Sequence, residues 1–233
     1  MSKIRMHLPP EGALEPNDEK DDPLPYYYSP IAGRLYRGRI ESGLSLLQPH
    51  YESILEVGYG SGINMPTLSQ IGGEVWGVDI CSDPERVADR LTRIGVRARL
   101  AKADICDWDC APERFDLVVA FSVFEHIPDS SAALRQIWRL LKPKGMLLVG
   151  MPRVDKLMTT FFSLIGYSGI EDHHVNTFRK VCDSARPYFD IECTRVFPRW
   201  CPRWAGLYFS FLFKKRDADG SSSPGMAGRA RSM

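Results

Sequence analysis

Ile54-Leu55-Glu56-Val57-Gly58-Tyr59-Gly60-Ser61-Gly62, followed by Trp76-Gly77-Val78-Asp79, is the stretch whose reading decides the fold. An apolar run ends in three alternating glycines and a helical pattern, and the next apolar run ends on an acid 21 positions after Gly58. This is the layout of a nucleoside-binding turn in a doubly wound α/β sheet. Glycine lets the backbone approach a ligand, and a carboxylate at the second strand end can accept from both ribose hydroxyls. The spacing is Gly-x-Gly-x-Gly, because Ile63 stands where a dinucleotide-binding loop carries its last glycine. A pyrophosphate is therefore disfavoured. The plain structural alternative is a strand-to-helix turn that needs glycine for its own sake, with Asp79 capping a helix beside Ser82.

The same alternation continues on both sides. Ala32 to Gln48 has a helical pattern (Leu35, Ile40, Leu44, Leu47) and precedes a strand at 53–57, a helix from Asn64 to Ile71 and a second strand from Glu74 to Ile80. The next helix has two possible starts, a Ser82/Glu85 capping box or an Asp83 cap with Pro84 in the first turn. It carries Val87, Leu91 and Ile94 on one face and stops at Gly95. Strands follow at 98–103 and 115–123, the latter apolar throughout as a strand buried on both faces should be. A helix from Asp129 leads through Lys142-Pro143-Lys144-Gly145 to a strand at 146–150. A helix at about 176–188 and an antiparallel pair, 190–197 and 207–213, end the pattern. Strand–helix alternation predicts an α/β, doubly wound, mostly parallel sheet.

Composition bounds the rest. The 233 residues carry 30 basic and 29 acidic side chains, a net charge of +1, with no block of one sign to grip nucleic acid. Six cysteines lie scattered without a Cys-x-x-Cys pair, which reads as reduced thiols in a cytoplasmic protein. Cys106 and Cys110 have no evident further ligands, so no metal is expected. No run reaches the about 18 apolar residues of a membrane span. Residues 1–24 and 217–233 look disordered by composition, which leaves one domain over 25–216.

Six motifs in order make the chain resemble the class I S-adenosylmethionine-dependent methyltransferases, in particular their small-molecule, type 11-like group. Besides the glycine stretch they are Val78-Asp79, Ala103-Asp104-Ile105, Phe115-Asp116-Leu117-Val118-Val119, Phe124-Glu125-His126-Ile127-Pro128-Asp129 and Leu141-Lys142-Pro143-Lys144-Gly145, spread over about residues 50–152. Lys144 stands where the family usually has a second glycine, a departure that bears on turn geometry. The resemblance implies a seven-stranded, Rossmann-like sheet with a C-terminal antiparallel hairpin, and S-adenosylmethionine as cofactor. It implies that Gly58, Gly60 and Gly62 line the methionine moiety, and that Glu56 reaches the amino group through water. Asp79 with Ile80 would meet the ribose, Asp104 and Ile105 the adenine, and Phe121 would lie over the cofactor. Asp107 competes with Asp104, and Phe121 can equally be core.

Methyl transfer from a sulfonium needs alignment and exclusion of water, and a base only for an alcohol, phenol or carbon acid. His126, His173 and His174 are the candidate bases. Against this stand a structural role for His126 and a polar helix start for the other two. Apolar side chains at 157–170 and the loop 198–204, with Trp200 and Trp204, form either a lid for an apolar acceptor or packed core. The Asn/Asp-Pro-Pro-Tyr/Phe stretch of amino-group methylases is replaced by Ala120-Phe121-Ser122-Val123, and the metal cluster of catechol-type enzymes is not recognisable. The expected activity is transfer to an oxygen or carbon nucleophile of a small, apolar molecule without a metal. The rivals are a protein or peptide methyltransferase and an inactive cofactor-binding regulator.

Overall fold

A computed structural model describes residues 4–17, 22–153, 177–202 and 205–217. Its elements are α1 (Leu24–Tyr28), α2 (Ala32–Leu44), β1 (Tyr51–Val57), α3 (Met65–Ile71), β2 (Gly72–Asp79), α4 (Pro84–Arg93), β3 (Arg99–Lys102), β4 (Phe115–Phe121), α5 (Ser130–Leu140), β5 (Leu141–Pro152), α6 (Phe178–Ala185), β6 (Phe189–Phe197) and β7 (Tyr208–Lys215). The seven strands form one sheet in the order β3-β2-β1-β4-β5-β7-β6. Strands β1 to β5 pair in parallel, whereas β7 runs antiparallel between β5 and β6. The order reverses between β1 and β4, so the crevice for a ligand lies at the carboxyl ends of these two strands.

Period-two alternation distributes the core over both faces. Ile54, Leu117, Val119 and Leu148 point to the side covered by α2, α3 and α4, while Leu55, Val118, Leu147 and Val149 meet α5 and α6. Phe209, Phe211 and Phe213 of β7 share the second face, as their spacing predicts, with Tyr208 and Leu212 on the first. Local chemistry fixes the helix starts. Asp83, and not Ser82, caps α4, its Oδ1 accepting from Glu85 N at 3.0 Å and Arg86 N at 3.2 Å. Asp129 caps α5 by accepting from Ala132 N at 3.1 Å. Lys144 adopts φ +64°, the left-handed backbone that a glycine takes without strain.

The amino-terminal segment corrects an expectation. Residues 4–17 are not a free tail: Met6 and Leu14 are buried in the first core cluster. The backbone N–H groups of Met6 and His7 donate to Glu41 Oε1 (3.2 Å) and Thr67 Oγ1 (2.9 Å), and Glu15 pairs with Arg90. Composition missed this because a few single apolar side chains and main-chain bonds hold the strap, and an average over 24 residues does not register them. The expected tail from residue 218 onward lies outside the described residues. No helix among the described residues is long and apolar enough to cross a membrane.

Candidate active site

A cavity of about 490 Å³ opens at the switch point, within the size range of small-ligand sites. Its floor is the loop after β1. Gly58 (φ +71°), Gly60 (φ +52°) and Gly62 (φ +81°) all adopt left-handed backbone, but they do different jobs. A Cβ on Gly58 would collide with Val123 Cγ2, so this glycine lets the loops after β1 and β4 touch. Gly62 is off the cavity wall, where a Cβ would press on Val87 of α4 at 3.0 Å. Only Gly60 faces open space, with nothing nearer its missing Cβ than Asn17 Nδ2 at 3.7 Å.

Asp79 lines the cavity at the tip of β2 and braces that floor. Its Oδ2 accepts from Gly60 N at 2.8 Å, and its Oδ1 accepts from Cys81 N and Ser82 N, each at 2.8 Å. A carboxylate offers about four lone-pair positions, so one, on Oδ2, is left for a ligand. Ile80 is exposed and lines the same rim. Beyond it, Asp104 and Ile105 line the far end, Asp104 Oδ1 holding the turn through Cys106 N at 2.9 Å. Asp107 is not on the wall, which leaves Asp104 as the acid there.

Glu56 stands behind the wall. It is 1% exposed, and its Oε1 accepts from Asn64 Nδ2 at 2.7 Å. Burial pushes its carboxyl up to about 8, the Asn64 hydrogen bond opposing and the nearby Asp79 charge adding to the shift. Glu56 Oε2 and Asn64 Oδ1 are buried without a hydrogen-bond partner. Asn64 itself lines the cavity.

Sequence reasoning missed Arg39, Tyr27, Asn64 and the Asn17–Asp22 corner, all on the cavity wall. Arg39 lies over the Tyr36 ring (4.3 Å to the centroid) and near that of Tyr208 (5.3 Å), and it hydrogen-bonds Tyr27. Its Nε is buried without an acceptor. The one signal for Arg39 was its place beside Ile40 on a helix with an apolar face. Asn17 and Asp22 gave none, because one ends the strap at 4–17 and the other stands just before α1; Asp22 Oδ2 accepts from Asn17 N at 2.7 Å.

On the β4 side, Phe121 lines the cavity and also fills the core. A Cβ on Gly43 of α2 or on Gly150 of β5 would strike its ring at 2.8 and 2.5 Å. His126 lines the wall with an exposed side chain. His173, His174, the apolar stretch 157–170 and Trp204 lie outside the described residues. Trp200 is 85% exposed and off the cavity wall, so it is not packed core. Glu125 is buried, its Oε2 without a donor, and burial pushes its carboxyl up to about 8 against the pull of a backbone N–H and of Arg39. Among the described residues no group of three or more His, Cys, Asp or Glu is placed to hold a metal ion.

A family model described as a methyltransferase domain matches residues 31–181, so the chain belongs to the methyltransferase-domain family. Its fold is that of class I S-adenosylmethionine-dependent methyltransferases. It aligns with the N-methyltransferase NodS from Bradyrhizobium japonicum WM9, solved with S-adenosyl-L-homocysteine, at TM-score 0.61 and 18% identity over 85% of this chain and 94% of that one. The PH0226 protein from Pyrococcus horikoshii OT3 aligns at TM-score 0.63 and 17% identity, over 82% and 95%. In sequence, the chain is similar to the ubiquinone biosynthesis O-methyltransferase of Pseudomonas fluorescens (33% identical over 97 residues, 40% of this chain and 41% of the relative). That of Proteus mirabilis is 32% identical over 97 residues, 40% and 39% of the two chains. The chain thus spans about two fifths of the length of the curated relatives it matches.

Proposed function

We propose that the protein transfers the methyl group of S-adenosylmethionine to an oxygen or carbon nucleophile of a small, apolar molecule. The observation that carries this reading is the set of unmatched polar atoms on and behind the cavity wall. Two buried oxygens, Glu56 Oε2 and Asn64 Oδ1, lack hydrogen-bond partners, and Arg39 Nε lacks an acceptor. An amino acid's ammonium and carboxylate supply what is missing, since buried polar groups left unpaired are costly.

When bound, the cofactor supplies an electrophilic methyl group whose C–S bond breaks as the acceptor–carbon bond forms, leaving a neutral thioether. Asn64, backed by Glu56, would hold the ammonium, and Arg39 the carboxylate. The free position on Asp79 would take a ribose hydroxyl, Asp104 the exocyclic amine of adenine, and Ile105 the face of its ring. Gly60 leaves the room these groups need. Phe121 and the Gly58–Val123 contact would keep water from the sulfonium side. For a hydroxyl acceptor, His126 is the cavity histidine that would receive the proton as the new bond forms, with His173 and His174 as further candidates. The names of the curated relatives support oxygen as the methylated atom. Six free thiols support a reducing compartment, the cytoplasm.

The test is calorimetric titration with S-adenosylhomocysteine, with NADH as control. Micromolar binding of the thioether and none of the dinucleotide is expected. Asp79→Ala should weaken that binding by on the order of 2–4 kcal/mol, through the lost ribose contact and the released Gly60 N–H. Unchanged affinity in this variant would remove the ribose assignment. Binding with no turnover of any acceptor would favour the regulatory protein.

A further inference from the structure

One strained residue sits where β4 enters the cavity. Ser122 has φ +57°, a region that residues with a Cβ populate sparsely and under strain. Its surroundings hold it there. Its N–H donates to Gly150 O at 2.8 Å, and its Oγ lies 3.1 Å from Tyr208 Oη. Glycine would adopt this backbone freely, so the hydroxyl is present at a conformational cost. Ser122 lines the cavity beside Val123, the residue that fills the space left by Gly58. Tyr208 is 2% exposed and stands behind the wall on β7.

Either hydroxyl can donate in the Ser122–Tyr208 pair. When Tyr208 donates, the O–H of Ser122 and its second lone pair are free for a group in the cavity.

We infer that Ser122 binds the hydroxyl oxygen of the methyl acceptor and turns a lone pair of that oxygen toward the methyl donor, with Tyr208 as the positioning residue behind it. The inference rests on the methyl-transfer reading and narrows its acceptor to an oxygen nucleophile. The Ser122 O–H donates to the acceptor oxygen, whose own proton passes to His126 as the O–C bond forms and the C–S bond of the donor breaks. A nucleophilic carbon takes no such hydrogen bond.

The test measures transfer from labelled S-adenosylmethionine to 4-hexylcatechol as hydroxyl probe and to indole as carbon probe, alongside calorimetry with S-adenosylhomocysteine. Ser122→Gly relaxes the backbone and deletes the hydroxyl, whereas Ser122→Asn tolerates positive φ and restores a donor. With thioether affinity within about twofold of the unsubstituted protein, Ser122→Gly should lower kcat on the catechol by about 10- to 100-fold. Ser122→Asn should recover part of that loss. Tyr208→Phe should lower kcat several-fold at unchanged KM and melting temperature, a split that a packing role would not produce. Full activity in Ser122→Gly overturns the inference. So does methylation of indole but not of the catechol, or thioether binding without turnover of the hydroxyl probe. Failure of the unsubstituted protein to bind the thioether would instead defeat the methyl-transfer reading itself.

Discussion

The two sides of the switch point are built in opposite ways. On the β1–β2 side the wall is backbone: Gly58 and Gly60 at positive φ, with Gly60 pinned by one carboxylate that also holds Cys81 and Ser82. On the β4 side it is side chains, Phe121, Ser122 and His126, backed by Tyr208 and faced by Arg39 from α2. A ligand part common to many enzymes can be met by main-chain shape, and a part that differs is met by replaceable side chains. The first wall comes from about 25 consecutive residues. The second is gathered from positions 39 to 208.

The contrast breaks first at Gly58, where the two walls touch. Gly58→Ala combines left-handed backbone with a clash at Val123 and should cost on the order of 3 kcal/mol, a fall of roughly 10 °C in melting temperature. Adding Val123→Ala should restore part of it. A Gly58→Ala protein that melts normally would mean that the loops do not meet as described. The next test separates shape from support. Gly60→Ala projects a methyl group into open cavity and should weaken S-adenosylhomocysteine binding by about tenfold for about 1 kcal/mol of stability. Gly62→Ala presses on Val87 and should do the reverse, losing about 2 kcal/mol of stability with affinity changed less than about threefold. Equal effects of the two on affinity would erase the distinction drawn between them.

The smallest expected effect is a pH dependence. Glu56, raised to about 8 from an ordinary 4.5, is protonated in the ligand-free protein near neutrality. An arriving ammonium favours the carboxylate, so binding releases a proton. Thioether affinity should then rise with pH between about 6 and 8, by about threefold in all, and level off above. Stability of the ligand-free protein should move the other way over pH 4.5 to 8, because the folded form keeps a proton that the unfolded chain has lost. Titration of Glu56→Gln across the same range should give a flat affinity profile, and a persisting slope would point to another group.

What was legible follows the same division. Strand and helix order came through because each element carries its own periodicity and its own start signal, as Asp83 and Asp129 illustrate. The glycine loop and Asp79 were legible because the turn and its brace are close in sequence. The roles of the individual glycines were not, since the spacing of Gly58 and Gly62 does not reveal Val123 or Val87 as neighbours. Arg39 and Tyr208 are ordinary residues of an amphipathic helix and an apolar strand, and only the sheet order brings them together. The strap at 4–17 escaped because polar, proline-punctuated sequence reads as solvated whether or not two of its side chains find a core.

The position of β7 has a consequence for the life of the chain before it works. The last of the seven strands in chain order, it lies inside the sheet, between β5 and β6. Until Tyr208–Lys215 leaves the ribosome, Val149 and Thr194 both lack the neighbour they will share, Phe211. Between the end of β6 and the arrival of β7, a nascent chain thus holds two unpaired strand edges open, a condition that favours edge-to-edge association between copies.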